Sequence, residues 1–179
     1  ITVGGKKMGK SYNNVIKLTE LFSGNHPILE KAYHPMVIRF SILQTHYRST
    51  LDFSNEALQA AEKGLKRLWE AHEKLQVMSY VQNKTAADTE LETKVALLIA
   101  EFDEFMNDDF STAKVLANMF ELVPVINSMK DKTITVSALS AETFASLQKQ
   151  FKIYIENIFG LQSIAGADNE KLKGVMQLL

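Results

Sequence analysis

Between residues 55 and 78 the inward positions return at alternating steps of three and four, at Leu58, Ala61, Leu65, Leu68, His72 and Leu75, while lysine and glutamate fill the other faces. That is the period of an amphipathic α-helix with one buried stripe. The same period predicts a helix over 88–106 with Leu91, Val95, Leu98, Phe102 and Phe105 inward. It predicts another over 111–129 with Ala113, Leu116, Ala117, Phe120 and Val123 inward. Pro124 should kink that helix, because it lacks the amide that closes a helical turn. A polar and β-branched connection over 131–136 leads to a fourth helix from near Ser140, which buries Phe144, Leu147, Phe151, Ile155 and Ile158 and stops at Gly160. The polar stretch 79–89 reads as a mobile loop, and residues 168–179 begin a further helix with no cap after it.

The first fifty residues follow a different pattern. Residues 1–8 read as a short strand or hairpin arm turning at Gly4-Gly5, followed by a lysine-rich loop. A helix is then predicted over 15–22, burying Val15, Leu18 and Leu21 or Phe22, with Asn13 and Asn14 as candidate caps and Gly24-Asn25 as its end. Pro27 and Pro35 each sit where a helix could begin, and the apolar stretch 36–43 should form a nearly buried one. A polar connection over 48–54 places a domain boundary near residue 50. The expected fold is mainly α. A short β element, a loop and connecting helices (1–50) precede an antiparallel helical bundle (51–179) that is cut short at its C-terminal end.

At 179 residues and 46% hydrophobic composition the chain can bury a core of one or two domains. A formal net charge of -1 gives no general attraction to nucleic acid or membrane, so any RNA contact must be local. The absence of cysteine excludes disulfides and thiolate metal sites, and His26, His34, His46 and His72 lack the spacing of a helical metal site; no metal is expected here. No signal-peptide pattern opens the chain and no apolar run is long enough to span a bilayer, so the expected compartment is the cytoplasm, with no membrane partner. The chain begins without methionine and as if partway through a strand, which makes it an expected part of a larger protein.

Lys6-Lys7-Met8-Gly9-Lys10-Ser11 gathers positive charge in a segment with no acid before Glu20. Amides near a helix start favour phosphate, lysines add mobile point charges, and Gly9 leaves room for a ligand to approach the backbone. A lysine cluster in a loop is nevertheless more often a solvated turn than a site.

Lys7-Met8-Gly9-Lys10-Ser11 resembles the KMSKS signature of class I aminoacyl-tRNA synthetases. The runs 35–40, His46-Tyr47-Arg48-Ser49, Leu51-Asp52-Phe53-Ser54 and Asp108-Asp109-Phe110-Ser111-Thr112-Ala113 resemble cysteinyl-tRNA synthetases in the same order and at similar spacing. The joint occurrence displaces the solvated-turn reading. Gly9 stands where the family has its first serine, and Asn13 where it has a glycine, an exchange that asparagine's tolerance of a left-handed backbone allows. The resemblance implies a KMSKS-like loop followed by a helical DALR-type domain. It implies ATP with Mg2+, cysteine and tRNA(Cys) as the partners of the full-length enzyme, which is expected to act as a monomer. It further implies that Lys7, Met8, Gly9, Lys10 and Ser11 bind ATP, with Lys10 the leading catalytic residue and Lys7 its supporter. The family's HIGH motif and its Zn2+ site belong to an upstream fold that this sequence does not contain, so the chain alone is expected to be inactive. The alternatives are part of a cysteine:amino-sugar ligase of thiol biosynthesis and a non-catalytic helical RNA- or protein-binding module.

Four further features carry weaker expectations. His46 and Arg48 are candidates for a structural or tRNA-facing role at the domain junction. Asp108-Asp109 is expected to cap the helix that follows, Trp69 to be core, and His72 to be half buried with no assigned function.

Overall fold

The computed structural model describes residues 1–82 and 88–164. The further helix expected over 168–179 lies outside the described residues, as does most of the middle of the 79–89 loop. Strands β1 (Thr2–Val3) and β2 (Lys6–Lys7) pair antiparallel with Thr2 opposite Lys7 and Val3 opposite Lys6. Gly4 and Gly5 join them with φ of 55° and 76°, the doubly left-handed pair that a two-residue hairpin turn requires. On its other side β1 meets the segment around Asp52: the Thr2 amide donates to the Leu51 carbonyl at 2.8 Å and the Phe53 amide to the Thr2 carbonyl at 3.0 Å.

A single 3-10 turn, Lys10–Tyr12, follows the lysines, and the first α-helix, α1, covers Leu18–Ser23. It begins later than residue 15. Its start is fastened where the Lys17 amide donates to Glu20 at 2.7 Å, half of the reciprocal arrangement that stabilises helix starts, so Asn13 and Asn14 do not cap it. Leu21 is buried as expected and Ile16 with it, whereas Val15 and Leu18 are exposed. Gly24 ends α1 with φ of 71°, and a Cβ there would meet the Ala32 amide nitrogen at 2.5 Å. Pro27 opens only a turn, whereas Pro35 opens helix α2 (Pro35–Leu43), whose start His34 caps by accepting from the Met36 amide at 3.1 Å. Val37, Ile38 and Phe40 of α2 are buried, with Tyr33 beside it.

The long helix α3 (Asn55–Gln76) starts at Ser54, whose hydroxyl accepts from the Ala57 amide at 3.2 Å. All six expected inward positions are buried, His72 included at 3% exposure. Complete burial of one leucine side chain contributes about 1.5–3 kcal/mol, so this stripe alone commits α3 to its packing. Among the described residues the chain divides into two compact units, 1–66 with 161–164 and 67–160, so the division falls inside α3.

In the second unit α4 (Thr89–Asn107) packs against α5 (Thr112–Lys130) and α6 (Ala141–Lys152). The four-residue link between α4 and α5 makes them antiparallel neighbours. The buried face of α4 is Val95, Ile99 and Phe102, with Leu91, Leu98 and Phe105 only half covered. That of α5 is Val115, Leu116, Met119, Leu122, Val123 and Ile126; Ala117 is exposed and Phe120 half exposed. Helix α5 runs through Pro124 to Lys130. Ser140 caps α6 by accepting from the Thr143 amide at 3.1 Å, and a π-helical turn over Ile153–Ile158 continues from it. That turn buries Tyr154 and Ile155 but leaves Ile158 exposed, and Gly160 follows with φ of 57°.

Three local readings change. Asp108 does not cap α5: it ends α4 and pairs with Lys114 at 3.5 Å, while Asp109 and Phe110 take left-handed φ of 61° and 53°. Trp69 is half exposed, with its indole N–H on Glu73 at 2.8 Å, because it lies beside the stripe of α3 rather than on it. His72 is buried rather than half buried, its Nε2 2.9 Å from Glu156 and its Nδ1 without a hydrogen-bond partner. Among the described residues no helix is long and apolar enough to cross a membrane.

Candidate functional site

The lysine arm is built outward from a buried anchor. Val3 is 6% exposed, and the pairing of β1 with β2 carries Lys6 and Lys7 out to an exposed rim. Successive strand side chains point to opposite faces, which separates the two lysines. Lys6 lines a cleft of about 530 Å³ together with Tyr12, Asn13, Phe53 and Glu56; Lys7 and Lys10 do not line it. Lys7, Lys10 and Ser11 are exposed, Met8 and Gly9 half buried. Among the described residues neither Lys7 nor Lys10 enters an ion pair, so both ammonium groups are free of internal acid partners.

Two residues hold this arm in shape in a way that sequence reasoning did not assign. Asn14 is 8% exposed and uses both ends of its amide: Oδ1 accepts from the Gly9 N–H at 2.9 Å and Nδ2 donates to the Lys7 carbonyl at 3.0 Å. Asp52 holds the hairpin turn, accepting from the Thr2 hydroxyl at 2.5 Å and the Gly5 amide at 2.8 Å. The Thr2 hydroxyl, then the Gly5 amide, hold the Asp52 carboxyl below the usual carboxylate range against a smaller opposing effect of burial. Asn14 was legible as a candidate helix cap in the run after the KMSKS-like loop and Asp52 as part of a matched run; Asn14 is buried and Asp52 half buried, and which groups they hold is set by the fold.

The 3-10 turn closes with the Tyr12 amide on the Gly9 carbonyl at 3.0 Å, and Asn13 then adopts a left-handed φ of 49°. The ring of Tyr12 lies against Gly9, where a Cβ would stand 3.3 Å from a ring carbon. Lys7 and Lys10 thus flank Met8 and Gly9 in the loop, both exposed and, among the described residues, in no ion pair.

His46 and Arg48 form a stack of their own beyond the end of α2. The His46 and Tyr47 rings lie 4.9 Å apart, and the Arg48 guanidinium sits 5.4 Å from the Tyr47 ring centre while its Nε donates to the Tyr47 hydroxyl at 2.9 Å. Tyr47 is 62% exposed. No group of three histidine, aspartate or glutamate side chains that could hold a metal occurs among the described residues.

Residues 1–63 match the family model described as the tRNA synthetases class I (C) catalytic domain, and residues 101–163 that of the DALR domain. The chain is 40% identical over 179 residues to the cysteine-tRNA ligase of Cytophaga hutchinsonii, covering 99% of this chain and 36% of that protein. It is 46% identical over 167 residues to the cysteine-tRNA ligase of Parabacteroides distasonis, covering 93% and 32%. Against the cysteine-tRNA ligase of Chlorobaculum tepidum it is 34% identical over 187 aligned residues, covering 100% and 34%. The chain therefore spans about a third of the length of the curated relatives it matches. With the class I segment carrying the lysine arm, the DALR segment carrying α5 and α6, and relatives matched along nearly the whole chain, this protein belongs to the cysteinyl-tRNA synthetase family of class I aminoacyl-tRNA synthetases.

Proposed function

We propose that this chain is the part of a cysteine-tRNA ligase that supplies the mobile lysine clamp for ATP and the helical domain that lies along the tRNA. In the reaction proposed for the full-length enzyme, the cysteine carboxylate attacks the α-phosphate of ATP, pyrophosphate leaves, and the cysteinyl group passes from the adenylate to the terminal adenosine of tRNA(Cys). Negative charge grows on the phosphates during the first step. A lysine that reaches this charge only near the transition state accelerates the step, whereas one that binds ATP equally throughout does not. Lys10 is assigned that role, Lys7 supports it, and Met8, Gly9 and Ser11 complete the ATP-binding loop.

The observation that carries this reading is the pair of exposed lysines with no internal acid partner, placed on an arm that a buried strand and Asn14 hold in shape. Neither lysine lines the cleft that Lys6 borders, which fits a nucleotide held by a neighbouring fold. Mg2+ would come with the nucleotide, since the loop offers no carboxylate to hold it. A Zn2+ site for the substrate thiol falls outside this sequence, which has no cysteine to build one. His46 and Arg48 are proposed to meet the tRNA, where a stacked ring and a guanidinium suit an unpaired base and a phosphate. The relatives named cysteine-tRNA ligase support the tRNA ligase over the amino-sugar ligase, and the cytoplasm is the proposed compartment. The domain division proposed is a lysine-loop region to about residue 50 and a helical region after it.

Lys10→Ala in the full-length protein is expected to slow cysteine-dependent pyrophosphate exchange at saturating ATP by about a hundredfold or more, the scale of a lost transition-state donor. An unchanged rate would remove Lys10 from the role.

A further inference from the structure

We infer that Asn14 is a positioning residue for adenylate formation, acting through the backbone of the lysine loop; this rests on the nucleotide reading of Lys7 and Lys10 given above. Both arms of its side chain are spent on the loop. Oδ1 takes the Gly9 N–H at 2.9 Å and Nδ2 gives to the Lys7 carbonyl at 3.0 Å, so one planar amide bridges the backbone on both sides of Met8. Loops that carry exposed lysines pay a large entropy to hold them in one place, and an isolated arm of this length would sample many directions. A bidentate brace from a buried residue removes much of that freedom in advance, which is what a charge-stabilising group needs at the moment of reaction.

The geometry also explains the order of residues after the lysines. Asn14 can face backward across the loop only because the chain reverses at Asn13, whose φ of 49° is left-handed. The reversal is completed by the Tyr12 amide on Gly9 at 3.0 Å and the Asn13 amide on Lys10 at 3.1 Å. Tyr12 then covers Gly9, with a Cβ at Gly9 placed 3.3 Å from the ring, so glycine at this position and a ring at Tyr12 are packed as a pair. Asn14 lines the same cleft as Lys6, but both ends of its amide are bonded to the loop backbone, so its effect reaches Lys7 and Lys10 through the peptide units it holds.

The test is a double-mutant cycle in the full-length protein, with Asn14→Ala, Lys10→Ala and the two together, read by cysteine-dependent pyrophosphate exchange well below the melting temperature. Asn14→Ala is expected to lower kcat about tenfold with the ATP KM changed less than twofold, and to make the Lys7–Met8 and Lys10–Ser11 bonds cleave faster in trypsin. Added to Lys10→Ala it should cost clearly less than the tenfold it costs alone, because the brace then acts only through Lys7. Multiplicative losses in the double variant, or a wild-type kcat in Asn14→Ala beside a slow Lys10→Ala, would overturn this inference and leave the lysine reading intact. A wild-type rate in Lys10→Ala would instead defeat the lysine reading itself. If Asn14→Ala does not fold, Asn14→Asp decides: it keeps an acceptor for Gly9 and loses the donor to Lys7, so a reduced kcat supports the brace and a wild-type kcat ends it.

Discussion

Asp52 ties the first hairpin to a segment fifty positions further along the chain, and it does so as a charged acceptor. Its bonds from the Thr2 hydroxyl and the Gly5 amide favour the ionised form, which is why its carboxyl titrates below the usual range. The sign of the pH effect follows from that lowering. A group that is more acidic in the folded state adds stability that is complete above its unfolded value, near pH 4, and is lost as the pH falls through the lower folded value. The stability gap between the wild-type protein and Asp52→Asn, measured by urea unfolding, should therefore be constant above about pH 5 and close progressively below pH 4. A gap that widens in acid would show that the Thr2 and Gly5 bonds do not favour the carboxylate.

At the scale of elements, α6 is held at its start by a side chain from α4. Glu92 accepts from the Ser140 amide at 2.9 Å, the Ser140 hydroxyl at 2.7 Å and the Thr143 hydroxyl at 2.5 Å. Burial works to raise the Glu92 carboxyl, but the three hydrogen bonds from Thr143 and Ser140 outweigh it and keep it below the usual range. Ser140 is itself the cap of α6, so one carboxylate orients the cap and joins two helices at once. Glu92→Ala leaves those donors without their acceptor and should destabilise the second unit by about 1–3 kcal/mol in chemical unfolding. A loss below a few tenths of a kcal/mol would mean that water replaces Glu92 at no cost. The π-helical turn after α6 is fastened in the same manner, with the Tyr154 hydroxyl donating to Asp103 at 2.5 Å and Glu156 meeting His72 at 2.9 Å. Burial first, and the neighbouring Asp103 carboxylate second, push the Tyr154 phenol well above its ordinary value, so it remains a donor throughout the accessible pH range.

For the molecule as a whole, Lys7 and Lys10 lie outside the lining of the cleft that Lys6 borders, and the chain spans about a third of its relatives' length. Two exposed ammonium groups meet a triphosphate only weakly in water, where each pair of charges at contact is worth about 1 kcal/mol. The 179-residue chain by itself is therefore expected to give no cysteine-dependent pyrophosphate exchange above background, whereas the full-length protein proposed above is expected to give it. Exchange by the isolated chain at a rate near that of the full-length protein would show that the nucleotide pocket lies within these residues. With a net charge of -1, the tRNA contacts proposed above would be a matter of local groups such as Arg48 rather than of a general field.

The sequence by itself determined the stripe of α3, the hairpin at Gly4-Gly5, the stop at Gly24 and the helix start at Pro35, since each is encoded within a few neighbouring residues by period, left-handed backbone or a fixed φ. It also made the KMSKS-like run legible, because a motif is contiguous. Only the tertiary structure decided which apolar face of α4 and α5 turns inward. Those helices carry apolar residues on more than one side, so that Ile99 is buried while Leu97 is 58% exposed, and only the packed neighbours choose between them. The same holds for Asn14, Asp52, Glu92 and His72. Their partners lie five to eighty-four positions away, and whether a polar side chain braces the fold or faces water is set where the chain closes on itself.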